Sequence, residues 1–100
     1  MKLENIDLPA EQIAAFCQKW KIDEFSVFGS VLRDDFRPDS DIDLLVSFEP
    51  GVTWGMKLFD MRREIEQLLG RRVDLVTKKA LTNPFRRREI LTTRRVVYAA

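Results

Sequence analysis

The chain has 100 residues, which suits one domain with a modest hydrophobic core. Hydrophobic residues make up 45% of it, and no apolar run approaches the ~20 residues that cross a bilayer. The absence of histidine and the single cysteine exclude histidine catalysis, histidine-ligated zinc and an internal disulfide. Because the first ten residues are mixed and charged, we expect a soluble, cytoplasmic protein with no membrane association.

Charge is unevenly distributed along the chain. The net charge is +1, but residues 1–70 carry −6 and residues 71–100 carry +7. We interpret the run Arg86-Arg87-Arg88 as a solvated helix face, and the alternative is contact with a triphosphate or with an acidic partner. A net charge near zero argues against stable binding to nucleic acid.

The first part of the chain predicts a helix and a strand that serve packing. Apolar side chains recur at helical spacing over residues 8–20, which predicts a helix with one buried stripe. Cys17 lies in this stripe and is expected to be a small core residue. Residues 24–28 predict the first strand, half-buried because the polar Ser26 lies between apolar neighbours.

The first strand stops at a glycine-serine pair. Residues 31–35 after it predict one or two helical turns. Gly29 lets the backbone approach a ligand closely, and Ser30 supplies a hydroxyl near a helix N-terminus, which favours phosphate. Alone, such a pair is usually only a turn, so the prediction of phosphate binding depends on the residues that come after the pair.

Two acids open the second strand, which is predicted from Asp41 to Phe48 after a loop at residues 37–40. Asp41 and Asp43 share one face because side chains alternate along a strand. Two carboxylates this close repel unless a cation lies between them, and their oxygens suit Mg²⁺ or Mn²⁺. The strand therefore predicts a metal site beside the glycine-serine pair.

The remaining residues predict two helices and two strands. A long helix is predicted over residues 54–69 with Gly70 as its C-terminal stop, and its outer face needs no function. That outer face consists of Arg62, Arg63, Glu64 and Glu66. A strand over residues 72–77, a helix over 84–92 and a short strand over 96–98 complete the chain. The crossover through the long helix predicts a parallel pair, and hence an α/β (α+β) fold with a small mixed sheet backed by helices.

A third acid, Asp74, lies in the middle of the predicted strand at residues 72–77. An acid among apolar neighbours is costly unless it has a partner. An acid on an edge strand that faces water is one explanation. A third carboxylate beside Asp41 and Asp43 is the interpretation that we favour.

The spacing of these residues resembles a known signature. The signature of the DNA polymerase beta-like nucleotidyltransferases resembles the pattern found here: Gly29-Ser30, a ten-residue gap and Asp41-x-Asp43. The segment SDIDLLV most resembles their MNT family of minimal nucleotidyltransferases. Many members read GSxARG where this chain reads GSVLRDD, but Arg33 still matches. The resemblance implies one polymerase beta-like core over residues 1–100.

The resemblance also implies a reaction and its residues. ATP would be the substrate, and one or two Mg²⁺ ions would be held by the catalytic acids Asp41, Asp43 and Asp74. Backbone and hydroxyl groups of the glycine-serine pair would hold phosphates, and a nearby arginine would neutralise phosphate charge. These cofactor-binding residues are Gly29, Ser30 and Arg33.

Members of this family are antitoxins that move AMP from ATP to a tyrosine hydroxyl of a HEPN ribonuclease toxin. The resemblance therefore implies a HEPN toxin as partner, in a hetero-oligomer with this chain. Two alternatives stay open: a nucleotidyltransferase for small molecules, like the aminoglycoside enzymes, and a non-catalytic protein that neutralises a toxin by binding it. A short helical neighbour in the adjacent reading frame would favour the toxin pair.

Overall fold

The computed structural model describes residues 2–3, 5–34 and 36–100. Its strands are β1 (Ile22–Phe28), β2 (Ile42–Phe48), β3 (Val73–Thr77) and β4 (Arg95–Ala99). Its helices are α1 (Ala10–Lys19), α2 (Lys57–Leu69) and α3 (Pro84–Thr93), with 3₁₀ turns at Gly29–Leu32 and Lys78–Ala80. The sheet order is β3-β2-β1-β4, with β2 and β3 parallel and the other neighbours antiparallel. The predicted mixed sheet and its parallel pair are confirmed.

Helices cover both faces of the sheet. The main core packs α1 and α2 against one face, and its strand residues include Phe25, Val27, Ile42, Leu44 and Val46. A smaller cluster lies under α3 on the other face and contains Phe28, Leu45, Leu81 and Ile90. Because side chains alternate along β2, Asp43 shares the α3 face with Leu45. The described part of the chain has no helix long and apolar enough to cross a membrane.

The element ends follow local chemistry. Gly70 ends α2 in the left-handed conformation, and the Asn83 side chain caps α3 by accepting two backbone N–H bonds, so both predicted ends are confirmed. The predicted start of α2 at Trp54 is wrong. Gly55 has a φ of 55°, which is not helical, and the Trp54 indole N–H donates to the carbonyl of Trp20 at 3.0 Å. These contacts keep residues 54–56 outside the helix.

Two glutamates on the outer face of α2 make hydrogen bonds to other elements. Glu64 accepts hydrogen bonds from the Lys19 ammonium and the Trp20 indole, which joins α2 to α1. Glu66 accepts the backbone N–H of Val73 at 2.9 Å, which joins α2 to the start of β3. Both glutamates are thus structural acceptors, which is consistent with the prediction that this face needs no function.

A cluster of charged side chains joins β1 to the 3₁₀ turn Lys78–Ala80 and to the C-terminal end of α3. Ser26 is fully buried rather than half-buried, and its hydroxyl donates to Glu24 at 3.1 Å. Arg94 Nε donates to the same carboxylate at 2.8 Å, and Lys78 Nζ lies 3.4 Å from it. Burial raises the pKa of Glu24, but the hydrogen bond from Arg94 and the two positive charges outweigh it and lower that pKa below its ordinary value.

Replacing Glu24 by glutamine is expected to lower the free energy of unfolding by about 1–3 kcal/mol near neutral pH, because Arg94 loses a charge-assisted partner. A lowered pKa means that the carboxylate stabilises the fold above its unfolded-state pKa of about 4.3, and that this contribution is lost as the pH falls through the folded-state pKa. Urea unfolding of both proteins at about pH 7 and about pH 3 measures the difference. The difference in the free energy of unfolding should shrink at the lower pH. An equal difference at the two pH values would show that the charge of Glu24 is not its cause.

Candidate active site

One edge of the sheet gathers the end of β1 and the starts of the other strands. Phe28 pairs with Asp43, Val27 pairs with Arg95, and Asp43 pairs with Asp74. Residues that lie far apart in the sequence thus become neighbours along this edge. The candidate site consists of this edge and the 3₁₀ turn after β1.

Asp43 and Asp74 lie at paired positions on adjacent parallel strands, so their side chains share the α3 face. Asp43 is half-buried and Asp74 is exposed. Burial raises the pKa of Asp43, the negative charges of Asp74 and Asp41 raise it further, and a backbone N–H of Ser30 and the charge of Arg33 oppose this. The net effect is a raised pKa of the Asp43 carboxyl. A hard divalent cation would stabilise the ionised form of such a carboxylate. The donor set therefore fits Mg²⁺.

Gly29 touches the same carboxylate. Its φ is 74°, a conformation that side chains other than glycine rarely adopt. A Cβ added there would lie 2.2 Å from Asp43 Oδ2 and 3.1 Å from its Cγ. The Gly29 backbone therefore approaches the Asp43 carboxylate closely, and the approach to a phosphate that the sequence predicts stays a prediction.

Ser30 acts on Asp43 through its backbone. The backbone N–H of Ser30 lowers the pKa of the Asp43 carboxyl, and this effect does not depend on the serine side chain. The helical turns predicted at residues 31–35 are instead a single 3₁₀ turn at Gly29–Leu32, which begins two residues earlier and ends before Arg33. Part of the interval predicted as helical, Asp35, lies outside the described residues.

Ser30→Ala is expected to have a mild effect, since it keeps the backbone donor and removes one neutral hydroxyl. One such hydrogen bond contributes about 0.5–1.5 kcal/mol, so nucleotidyl transfer should fall by about two- to tenfold. Initial rates at saturating ATP measure this. A loss of several orders of magnitude would show that the hydroxyl has a direct role in the reaction.

Asp41 lies one residue before β2, and its carboxylate faces an arginine. Arg72 Nε is 3.3 Å from Asp41 Oδ1, and both side chains are largely exposed. Within residues 2–3, 5–34 and 36–100, no group of three or more acidic or cysteine side chains is placed to hold a metal ion. The structure therefore brings Asp43 and Asp74 together and places Asp41 at the rim of the site, beside Arg72.

Arg71 fixes the loop that leads to Asp41. One guanidinium nitrogen donates to the carbonyls of Arg37, Pro38 and Ser40 at 2.7–2.9 Å. The guanidinium carbon also lies 4.3 Å from the ring centre of Phe36. The loop between the glycine-serine turn and the second strand is thus fastened to the start of β3, a role that the sequence did not predict.

A cleft of about 640 Å³ opens between the 3₁₀ turn and α3. Its charged and polar lining is Arg33, Asp43, Arg86, Glu89, Thr93 and Arg95. The arginine run divides: Arg86 lines the cleft, Arg87 donates to the carbonyls of Lys78 and Leu81, and Arg88 is exposed. The three were predicted to share one solvated face, with contact to a triphosphate or an acidic partner as the alternative, and Arg95 was not predicted as a site residue. Helical spacing, which separates neighbours by 100° around the axis, was the signal that could have divided the run.

A glycine-serine turn packed on a carboxylate pair, at the edge of a small mixed sheet, defines a nucleotidyltransferase core. The sequence matches the nucleotidyltransferase domain family over residues 10–97. The chain belongs to this family, as an MNT-type minimal nucleotidyltransferase. The enzyme class and the polymerase beta-like fold predicted from the sequence are confirmed.

Two relatives show how similar the sequences are. Protein adenylyltransferase MntA of Thermococcus cleftensis is 41% identical over 64 residues, which cover 64% of each chain. MJ1217 of Methanocaldococcus jannaschii, provisionally named a protein adenylyltransferase, is 33% identical over 73 residues. That match covers 73% of this chain and 74% of the relative.

Solved structures share the fold. A structure described as a minimal nucleotidyltransferase is 37% identical with a TM-score of 0.72, and the match covers 86% of each chain. A toxin–antitoxin crystal structure with AMP-PNP matches at a TM-score of 0.72 and 18% identity, over 93% of this chain and 75% of that one. A complex of tri-AMPylated Shewanella oneidensis HEPN toxin with MNT antitoxin matches at a TM-score of 0.66 and 17% identity. That match covers 91% of this chain and 70% of the other. At these identities the last two show the fold alone.

Proposed function

We propose that this chain moves AMP from ATP to a tyrosine hydroxyl of a HEPN ribonuclease toxin, with Mg²⁺, and that it acts as the antitoxin of that toxin. The observation that carries the proposal is the half-buried Asp43, which contacts Gly29 and is paired in register with Asp74. Carboxylates beside a glycine turn suit the transfer of a phosphoryl-linked group, because positioning and charge supply most of that catalysis.

The relatives support the choice of acceptor. MntA and MJ1217 are both named for adenylyl transfer to protein. Two structures with the same fold contain, respectively, AMP-PNP and an AMPylated HEPN toxin. Large apolar side chains that a protein partner could cover are exposed, namely Met56, Phe59, Phe85 and Val96. A location in the cytoplasm and the lack of nucleic-acid binding stay predictions.

In the proposed reaction the acceptor oxygen attacks the α-phosphorus of ATP. The bond between that phosphorus and the bridging oxygen breaks, and pyrophosphate leaves with the electron pair. Asp74 accepts the proton of the hydroxyl, backbone groups of Gly29 and Ser30 hold phosphate oxygens, and Arg33 offsets their charge. Mg²⁺ held by Asp41, Asp43 and Asp74 would supply positive charge for the phosphates and lower the pKa of the attacking hydroxyl.

The metal dependence is tested by ATP titration with Mg²⁺ and with EDTA. Asp41→Asn combined with Asp43→Asn removes two charges with little change of shape, so ATP should bind tightly only to the wild-type chain with Mg²⁺. Asp60→Asn, an exposed acid of α2, is the matched control and should bind as the wild type does. Equal ATP affinity in the double variant would refute the metal site.

A further inference from the structure

Arginines from two different elements converge on the cleft beside Asp43. Along α3, Arg86, Glu89, Ile90 and Thr93 line the cleft at spacings of three, four and seven residues, which is one helix face. From the other side, Arg95 enters at the first position of β4. Neither arginine takes part in the bond-making step of the proposed reaction.

The fold holds Arg95 at this place. The residue before it, Arg94, donates to Glu24 at 2.8 Å and also donates to the carbonyl of Leu91, which fixes the turn between α3 and β4. Arg95 itself pairs with Val27, the residue two positions before Gly29. This pairing places Arg95 at the end of the sheet next to the glycine turn, where it is one of the residues that line the cleft.

The strand order sets the sequence in which the site residues follow one another across the sheet. Asp74 lies on β3, Asp43 on β2, the glycine turn comes directly after β1, and Arg95 lies on β4, in that spatial order. Neighbouring strands are about 4.8 Å apart, so about 10 Å separates the β2 and β4 positions. If the α-phosphate of ATP lies beside Asp43, the acceptor hydroxyl approaches from the side of Asp74. The β- and γ-phosphates then extend in the opposite direction, across the glycine turn towards β4.

We propose that Arg86 and Arg95 bind the β- and γ-phosphates of ATP, and hence the pyrophosphate that leaves. This inference rests on the proposed function. Guanidinium groups match phosphate oxygens with paired hydrogen bonds, and the residues that line the cleft include Arg33, Arg86 and Arg95. Glu89 is the acid that α3 adds to this lining, so positive charge is in excess.

The arginine run supplies its own control for the test. Arg86→Gln and Arg95→Gln remove one charge each at the cleft, and Arg88→Gln removes the same charge from an exposed position of α3 outside it. Calorimetric titration of each full chain with ATP, pyrophosphate and AMP, in Mg²⁺ and at one salt concentration, measures binding. Thermal unfolding confirms that each variant is folded.

Each cleft variant should bind ATP and pyrophosphate about tenfold more weakly than the wild type, with AMP affinity unchanged, because a hydrogen bond to a charged group is lost. Arg88→Gln should match the wild type for all three ligands. The inference is overturned if the cleft variants bind ATP and pyrophosphate as Arg88→Gln does, and lowered affinity for a protein partner alone would assign the arginines to an acidic surface instead. A wild-type chain that binds no ATP would refute the proposed function, and the inference with it.

Discussion

Asp74→Asn is expected to lower AMP transfer by about 10²–10⁴-fold while ATP still binds with Mg²⁺. Asp74 is exposed and is paired with Asp43 on the neighbouring strand. The residues that line the cleft include Asp43 but not Asp74. Asparagine keeps the shape but cannot accept the proton of the acceptor hydroxyl. Each tenfold loss of rate corresponds to about 1.4 kcal/mol of barrier. Single-turnover transfer with labelled ATP measures the rate, and calorimetry measures the binding.

A second assay on the same variant separates catalysis from simple binding. Toxin rescue in cells is measured beside AMP transfer, with the exposed Asp60→Asn as control. Loss of both in Asp74→Asn supports an enzyme that neutralises its toxin by modification. Lost transfer with full rescue would support neutralisation by binding alone. Unchanged transfer would remove Asp74 from the reaction.

Gly29→Ala is expected to abolish transfer, with a loss of several orders of magnitude, while the fold persists. The new Cβ would lie 2.2 Å from Asp43 Oδ2, and the carboxylate, as the end of a flexible side chain, can rotate away at little cost to the fold. The rotation moves Asp43 out of the place where it faces Asp74 and the turn. The stability cost is mainly the strain of a left-handed residue, about 1–2 kcal/mol.

Gly51→Ala is the matched control for this strain. Gly51 has a φ of 82°, and a Cβ there meets nothing within 4 Å. Both variants should therefore lose a similar amount of stability in urea unfolding, but only Gly29→Ala should lose transfer. Full activity in Gly29→Ala would show that the position of the Asp43 carboxylate does not matter for the reaction.

Local patterns predicted those parts of the site that depend on neighbouring residues. Side-chain alternation along β2 separated Asp43 from the main core, and Gly29 was indicated by the abrupt end of an apolar strand. Contact between these two residues requires the antiparallel register of β1 and β2, which pairs Phe28 with Asp43. A single sequence contains no direct measure of that register.

Arginines were predicted least well, because their partners are distant in the sequence. Arg71 donates to carbonyls more than thirty residues earlier, and Arg94 donates to Glu24 seventy residues earlier. The sequence carried no prediction for Arg71 or Arg94, since an arginine that binds a distant backbone carbonyl looks the same in the sequence as a solvated one. The same limit explains why Arg95 became a candidate only when β4 was placed beside β1.

The most direct test of the central proposal is the intact mass of a HEPN toxin encoded beside this chain, after incubation with the chain, ATP and Mg²⁺. We predict that the toxin gains one or more AMP units on a tyrosine, and that the gain disappears with EDTA or with the Asp41→Asn, Asp43→Asn double variant. A toxin that forms a stable complex with the wild-type chain and is neutralised by it, but whose mass stays unchanged, would contradict the proposed reaction.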